Sequence, residues 1–474
     1  MTNNVSKNTK TPKMTKAKAL KLKTYPVPDV IQEFASIFTK NSHQLYIVGG
    51  AVRDFFLCRP ISDYDFCTDA TPEQVIEMFR SVIPTGIKHG TVTVRFRGNS
   101  FEVTTFRTEG PYSDQRHPDN ITYVSDLADD LSRRDFTINA IAVNCSNGQI
   151  IDLYQGKNDI QVGIVRAIGD PIQRFSEDAL RMMRFARFCA ELDMKADKDT
   201  FDAAKKLSSN ITKVSAERIC EELFKILSSD NPYSGLVILI NTGILETIIP
   251  EFKVQADSKL KSKLGYDCFN TMISSYLMPD LSKSDLTTKL AFLFHDIGLP
   301  TTIKNKNPSQ KGTDYASANI ARIILKRLKC SNQLIDDVCK LILYHNTYVT
   351  REWSNGQIKR FFNELGWDNV PRLIPIHECI AMPVFLMGAK TPFTMYEKDA
   401  YDKFINDPKS LKDLAVNGDD LVAAGIPRNK ELGAILDLLL DVVLEHPSLN
   451  EKPFLTQLAI RYRNMSKDSD EPLF

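Results

Sequence analysis

Asp63 and Asp65 stand two apart in ISDYDFCT, a stretch whose Ile61, Tyr64, Phe66, Cys67 and Thr68 favour a strand. Residues i and i+2 of a strand point to one face, which would set the two carboxylates side by side. Carboxylates that close repel, so either one takes up a proton or a cation settles between their oxygens. A third acid, Glu102, lies between Phe101 and Val103 in SFEVTTF. It either faces solvent on an edge or points into a site, and if its strand runs beside the DYD strand the three acids converge. Three clustered oxygen ligands suit magnesium (Mg2+), which keeps waters and completes its shell with substrate phosphates. Alone, a D-x-D pair is an ordinary solvated strand face. Here Gly49 and Gly50 follow the apolar run QLYIV and precede AVRDFFL, where bare backbone amides at a helix start hold phosphate, although a plain tight turn reads the same way. Arg53, one turn further on, adds charge-assisted hydrogen bonds. The chemistry this arrangement serves is phosphoryl transfer, with metal ions activating a hydroxyl and steadying a leaving pyrophosphate.

Such residues need a sheet to hold them. DVIQEFASIF reads as an amphipathic helix, QLYIVGG as a strand, and TPEQVIEMFRSV as a helix with Thr71 as N-cap and Pro72 at the first position. TVTVRF and FEVTTF alternate as strands do. Beyond Asp170 strand signals nearly vanish. SEDALRMMRFARFCAEL, SAERICEELFKILSS, DLTTKLAFLFHDIG, ASANIARIILKRLK, QLIDDVCKLILYH and ELGAILDLLLDVVLEH all carry the helical period.

The 474 residues exceed one ordinary core, and 43% hydrophobic with 25% charged residues is a composition that folds. A net charge of +1 leaves a nucleic-acid partner undecided. Nine scattered cysteines without a C-x-x-C pair exclude a zinc ribbon and a disulfide framework, which points to a reducing cytoplasmic setting. No apolar run reaches the ~18 residues a membrane span requires. The first 24 residues carry seven lysines and no acid, the composition of a disordered, solvated tail with a loose attraction to RNA phosphates as the lesser reading.

GGAVRD followed by DYDFCT resembles the opening signature of the class II tRNA nucleotidyltransferases, the CCA-adding enzymes and their bacterial poly(A) polymerase relatives. The likeness runs on through TTFRTE, through RRDFTINAIA at Arg133 to Ala142, and through RAIGDPIQRFSEDALRMMRFARF at Arg166 to Phe188. It covers residues 45 to 230 closely and the helical remainder loosely, at VSAERICEEL, NGDDLVAAGIP and ELGAILDLLL. It implies an α+β N-terminal nucleotidyltransferase head, a mixed sheet with helices, followed by an all-α neck, body and tail. The expected division is a disordered basic tail over 1–24, the catalytic head over 25–165, a neck with a nucleotide-template helix over 166–230, a helical body over 231–370, and a tRNA-binding tail over 371–474.

The resemblance also implies roles. Asp63 and Asp65 bind catalytic magnesium, and Glu102 matches the third carboxylate. Gly49, Gly50 and Arg53 contact the nucleotide. Arg134 and Asp135 read the ribose, with Asn139 in support, where a surface salt bridge and capped turn is the plain alternative. Asp178, Arg181, Arg184 and Arg187 recur every three residues, a slowly rotating row beside Leu180, Met183 and Phe188 on one helix. Without the family this is a solvated stripe. With it, Asp178 accepts from an exocyclic amino group while Arg181 donates to the adjacent ring nitrogen. Cytosine and adenine share that donor–acceptor pattern, and uracil and guanine reverse it. Arg184 and Arg187 either neutralise triphosphate or support the helix. The Gly-, Pro- and Asp-rich stretch RTEGPYSDQRHPDNITYVSDLADDLS reads as a mobile loop of the kind tied to the switch from C to A addition.

The function so implied is transfer of CMP and AMP from CTP and ATP to the 3′ end of tRNA. Rival readings are an A-adding or CC-adding specialist, a poly(A) polymerase, a non-catalytic RNA-binding protein, and an HD-type phosphohydrolase. The last rests on LFHDIG, with His295 and Asp296, and on His345. Asn270 and Thr313 stand where the complete HD pattern carries histidine, so the expectation is a structural relic with His295 as a hydrogen-bonded core residue.

Overall fold

The alternating runs of the first half assemble into a seven-stranded mixed sheet of order β3-β4-β5-β2-β1-β8-β9. In this computed structural model the described residues are 14–110, 121–257, 268–303, 310–386 and 393–468. The chain divides into two compact units, Met1–Lys253 and Val254–Phe474.

In the first unit α1 (Lys16–Leu20) and α2 (Asp29–Lys40) lead into β1 (Leu45–Val48), α3 (Gly50–Phe56), β2 (Asp65–Thr68) and α4 (Pro72–Met78). The meander β3 (Val82–Gly86), β4 (Thr91–Phe96) and β5 (Asn99–Thr105) follows. A two-stranded ribbon, β6 (Arg107–Glu109) with β7 (Ile121–Tyr123), precedes α5 (Leu127–Ser132), and β8 (Ala142–Asn144) and β9 (Ile150–Ile151) close the far edge. Then come α6 (Gly156–Val162), the short parallel pair β10 (Ile164–Val165) and β11 (Lys195–Ala196), α7 (Pro171–Glu177), α8 (Leu180–Leu192), α9 (Lys198–Lys206) and α10 (Ala216–Leu227).

One ring explains why the acids face out. Ile31, Phe34, Ala35 and Phe38 form the buried stripe of α2. Phe34 packs on Phe66 of β2 and Phe101 of β5 at centroid separations of 5.5 and 4.9 Å. Burying Phe66 and Phe101 turns their neighbours Asp65 and Glu102 to the opposite, solvent-facing side of the sheet. β2 and β5 run parallel, with Asp65 directly beside Glu102. The convergence expected of those two acids therefore follows from the burial of two phenylalanines.

Three local readings are corrected. Asp63 lies before β2 rather than within it, so strand alternation does not place it beside Asp65. The capping box of Thr71 with Gln74 forms as the sequence predicts, but the helix ends at Met78, where Phe79 turns extended to pack on Phe34 at 5.0 Å. Residues 14–24 are not a featureless tail. Ala19 is fully buried and α1 packs on α3 and α6, because Ala17, Ala19, Leu20 and Leu22 punctuate the lysines. Residues 1–13, and the tip of the expected mobile loop at 111–120, lie outside the described residues.

The second unit is helical throughout its described residues, and no helix there or in the first unit is long and apolar enough to cross a membrane. Residue 371, where the tail was expected to begin, lies in the first turn of the helix Val370–Leu386, a position that tolerates its proline. His295 and His345 are core residues whose Nδ1 atoms lie 2.7 and 2.6 Å from the carbonyls of Phe292 and Ile342. Burial, together with the neighbouring His295, holds His345 well below the usual histidine range. Thr313 shares a hydrogen bond with Thr302 at 3.0 Å, and Asn270 is exposed. Among the described residues no group of three His, Cys, Asp or Glu side chains is gathered to hold a metal ion. The hydrogen bond and burial of His295 make it the hydrogen-bonded core histidine that the sequence predicts.

Candidate active site

Two adjoining cavities in the first unit collect the expected residues. One, of about 560 Å³, is lined by Asp63, Asp65, Glu102, Gly50, Arg53 and Glu191, among others. The second, of about 480 Å³, shares Gly50, Arg53 and Asp65 and adds Gly49, Arg134, Asp135, Asn139, Asp178, Arg181 and Arg184. Arg187 alone of the expected set lies off the cavity walls. Gly49 sits at φ +75°, a left-handed conformation that L side chains avoid, and a Cβ there would face the Asp65 carboxylate and the Arg134 guanidinium. The turn thus brings backbone between a carboxylate and a cation.

Asp65 is reachable from solvent at one edge, yet desolvation raises its carboxyl. Arg134 opposes that rise and the like charge of Asp63 adds to it. Like charges on neighbouring carboxylates are relieved by a divalent cation. A carboxylate ligates a divalent cation in its ionised form, and if Asp65 is such a ligand its ionisation governs metal uptake. The metal concentration giving half-maximal activity should therefore climb as pH falls, beginning above the ~3.9 of an ordinary aspartate. Metal titrations at stepped pH check this, and a midpoint indifferent to pH down to ordinary aspartate values would refute it.

Behind the acids runs a buried polar chain. Arg53 donates to both oxygens of Asp54 at 2.9 and 3.0 Å and to Asn139 Oδ1 at 2.9 Å. Asn139 Nδ2 donates to Asp135 Oδ1 at 3.1 Å, and Arg184 grips Asp135 Oδ2 at 2.9 and 2.6 Å. Burial alone would raise the Asp135 carboxyl, but Arg184 and Asn139 bring it down to about 2. Arg134 is held elsewhere. Asp130, completely buried, accepts from Arg133 at 2.7 Å and from Arg134 at 3.0 Å. Burial pushes Asp130 up, and the two guanidiniums more than offset it, leaving the carboxyl below its usual range. In the structure Asp135 is thus paired with Arg184 rather than with its neighbour Arg134.

The row expected on one helix is also rearranged. Asp178 lies between α7 and α8 rather than on α8, its Oδ1 accepting from the Leu180 amide at 3.0 Å and its Oδ2 from Arg218 of α10 at 2.8 Å. Arg181, largely buried, donates to Glu177 at 2.6 Å and to the Arg133 carbonyl at 3.0 Å. Arg187 lies 3.0 Å from Glu191 and 2.7 Å from Glu222. Phe188 gathers the guanidiniums of Arg53, Arg184 and Arg187 around its ring, at 5.2, 5.4 and 4.2 Å. The stripe is therefore no solvated face.

Arg218, Arg107, Arg133 and His89 on the second cavity, and Asp130 that holds Arg134, escape a reading by local spacing. The one signal for Arg218 is its place in VSAERICEEL, where Arg218 and Glu222 share a helix face by i,i+4 spacing.

A mixed sheet presenting paired carboxylates beside a Gly-Gly turn, with an arginine-rich helix behind, defines a nucleotidyltransferase head. Residues 45–166 match the family described as Poly A polymerase head domain. Residues 193–255 match "Probable RNA and SrmB- binding site of polymerase A", and residues 313–459 match tRNA nucleotidyltransferase domain 2. The chain is 34% identical to the CCA-adding enzyme of Ligilactobacillus salivarius over 91% of its own length and 97% of the relative's. It is 36% identical to that of Enterococcus faecalis over 70% and 75%. The fold superposes on the crystal structure of the Bacillus stearothermophilus CCA-adding enzyme in complex with CTP, with a TM-score of 0.72 and 28% identity, covering 94% of this chain and all of that one. The chain belongs to the class II CCA-adding enzyme family.

Proposed function

We propose that the protein adds and repairs the 3′-terminal CCA of tRNA, transferring CMP and AMP from CTP and ATP with release of pyrophosphate. The observation that carries this reading is the register of Asp65 beside Glu102, with Asp63 on the same cavity wall. Relatives along nearly the whole chain are CCA-adding enzymes, and solved structures of that fold hold CTP, ATP or tRNA.

In this reading Asp63 and Asp65 are the ligands of Mg2+, with Glu102 beside them. The donor set fits a shared site: the exposed carboxylates of Asp63, Asp65 and Glu102 line one open cavity. Magnesium takes one or two carboxylates and fills its shell with phosphate oxygens and water. When bound, the metal supplies Lewis-acid stabilisation of the α-phosphate and of the attacking 3′-hydroxyl. The protein's own work is to position and to exclude. The amides of Gly49 and Gly50, with Arg134 behind them, orient the triphosphate. Asp135 and Asn139 stand at the ribose, held by Arg53 and Arg184. The head over 25–165 carries the chemistry, the neck over 166–230 the base selection, and the helical units over 231–370 and 371–474 hold tRNA through phosphate contacts and shape.

Asp178 is the base-reading carboxylate and Arg181 lines the same cavity; Arg218, by its bond to Asp178, is its nearest guanidinium. Asp178→Ala should relax the preference for C and A by about 10- to 100-fold, the worth of one bidentate contact, while pyrophosphate release continues. Arg218→Ala should do the same to a lesser degree, since it leaves the carboxylate in place.

One assay tests the whole reading. The purified protein is given tRNAs ending before, within and after CCA, with each triphosphate separately. Sequential addition of C, C and A followed by arrest is the expected result. Long A tails on unrelated RNA would favour the poly(A) polymerase reading instead, and phosphate release dependent on His295 would favour the phosphohydrolase.

A further inference from the structure

Asp135 and Asn139 line the second cavity, and the chain between them holds a single turn of 3-10 helix, Thr137–Asn139. Their side chains are aimed by Arg184 and Arg53. Where the turn itself sits is settled from outside the cavities, by Thr137, which is on the wall of neither. The Thr137 amide donates to the Arg166 carbonyl at 3.0 Å, and its hydroxyl donates to Asp159 Oδ2 on α6 at 2.7 Å. Its carbonyl closes the turn by accepting from the Ala140 amide at 3.1 Å. That carbonyl also lies against α6, so closely that a Cβ on Gly156 would sit 2.3 Å from its oxygen.

Asp159 is a buried carboxylate, and it too lines neither cavity. Its charge is answered by Arg166, whose Nε lies 3.2 Å from Oδ2, and Arg166 is held in turn by Asp197 at 2.6 Å. A buried ion pair contributes little stability beyond what an apolar contact of the same volume would supply. What the carboxylate adds is direction. A hydrogen bond weakens steeply once donor and acceptor leave their line, whereas an apolar contact lets the turn slide. Amide, hydroxyl and carbonyl of Thr137 thus fix the turn on α6 and the strand end at Arg166, and the hydroxyl bond is the one that a side-chain change removes cleanly.

We propose that Asp159 is a positioning residue for ribose selection: through the Thr137 hydroxyl it fixes the turn from which Asp135 and Asn139 reach the sugar. The inference rests on the reading of Asp135 as the acceptor of the nucleotide's 2′-hydroxyl. A ribose offers that donor and a deoxyribose does not. A displaced turn therefore costs the ribonucleotide a bond and the deoxyribonucleotide nothing. A pair buried only for stability would, when broken, lower Tm and slow both nucleotides alike.

The test measures kcat/KM of the full-length protein for CTP and for 2′-deoxy-CTP on a tRNA ending before CCA, alongside Tm. Thr137→Val keeps the branched shape and removes the hydroxyl. It should lower the ratio of CTP to 2′-deoxy-CTP by about two- to tenfold, the effect of one hydrogen bond. Asp159→Asn, which keeps an acceptor without the charge, should move the ratio the same way, and the double variant should move it no further than the larger single change. Thr137→Ser retains the hydroxyl and should keep the wild-type ratio. If Thr137→Val leaves the ratio unchanged, whatever it does to Tm, or if Thr137→Ser loses as much as Thr137→Val, the proposal is overturned while the ribose reading stands. Asp135→Ala tests that reading by itself: it should remove most of the preference for the ribonucleotide. An unchanged ratio there would sink the ribose reading, and the proposal with it.

Discussion

Asp63→Asn and Asp65→Asn should each cut nucleotide incorporation by about a thousandfold or more, with tRNA binding retained. The two variants remove one carboxylate each from a pair proposed to share a cation, and they change almost no volume. Asp65 faces away from the phenylalanine-lined core and Asp63 precedes the strand, so neither substitution disturbs packing. A gel assay of CMP and AMP incorporation beside a tRNA filter-binding measurement decides the matter. Incorporation within tenfold of wild type in either variant would remove the enzymatic assignment of these residues. Loss of tRNA binding in parallel would show that the effect is on the fold.

The second large effect is on stability. Asp130 has no exposed side-chain surface and holds Arg133 and Arg134 while accepting weakly from the Arg107 amide at 3.4 Å. An amide in its place presents donors to two guanidiniums and leaves buried charge without a counterion. Asp130→Asn should therefore cost about 3–5 kcal/mol, equivalent to lowering Tm by about 10 °C in a unit of this size. Activity should fall as well, because Arg134 loses the anchor that aims it at Asp65 and Gly49. The neighbouring Asp129 is exposed, and Asp129→Asn should change stability by no more than ~0.5 kcal/mol. Thermal unfolding of the two variants side by side checks the claim, and equal Tm values would contradict it.

Much of the head was legible because its signals are local. Phe34 and Phe38 mark the buried stripe of α2, the Thr71 cap fixes the start of α4, and alternation in TVTVRF and FEVTTF fixes which residues of β4 and β5 face the core. The Gly-Gly turn was legible for the same reason, as a backbone conformation only glycine adopts without strain. The partners of charged side chains were not. Asp178 stands one turn from Arg181 in sequence, yet it pairs with Arg218, 40 residues away, because its place ahead of α8 turns it toward α10. Asp135 stands next to Arg134 and is gripped instead by Arg184, 49 residues on.

The residue types pointed to the chemistry: three acids near a Gly-Gly turn and Arg53 suggested phosphoryl transfer before any fold was known, because charge and backbone freedom belong to the residues themselves, while the arginine row took its meaning from the family resemblance. Only the tertiary structure decided which cation answers which carboxylate, and that Asp63 depends on a loop rather than on a strand. Hydrophobic periodicity dictates the face a residue takes, but an ion pair is set by which elements meet, and that meeting is settled by the packing of the whole unit.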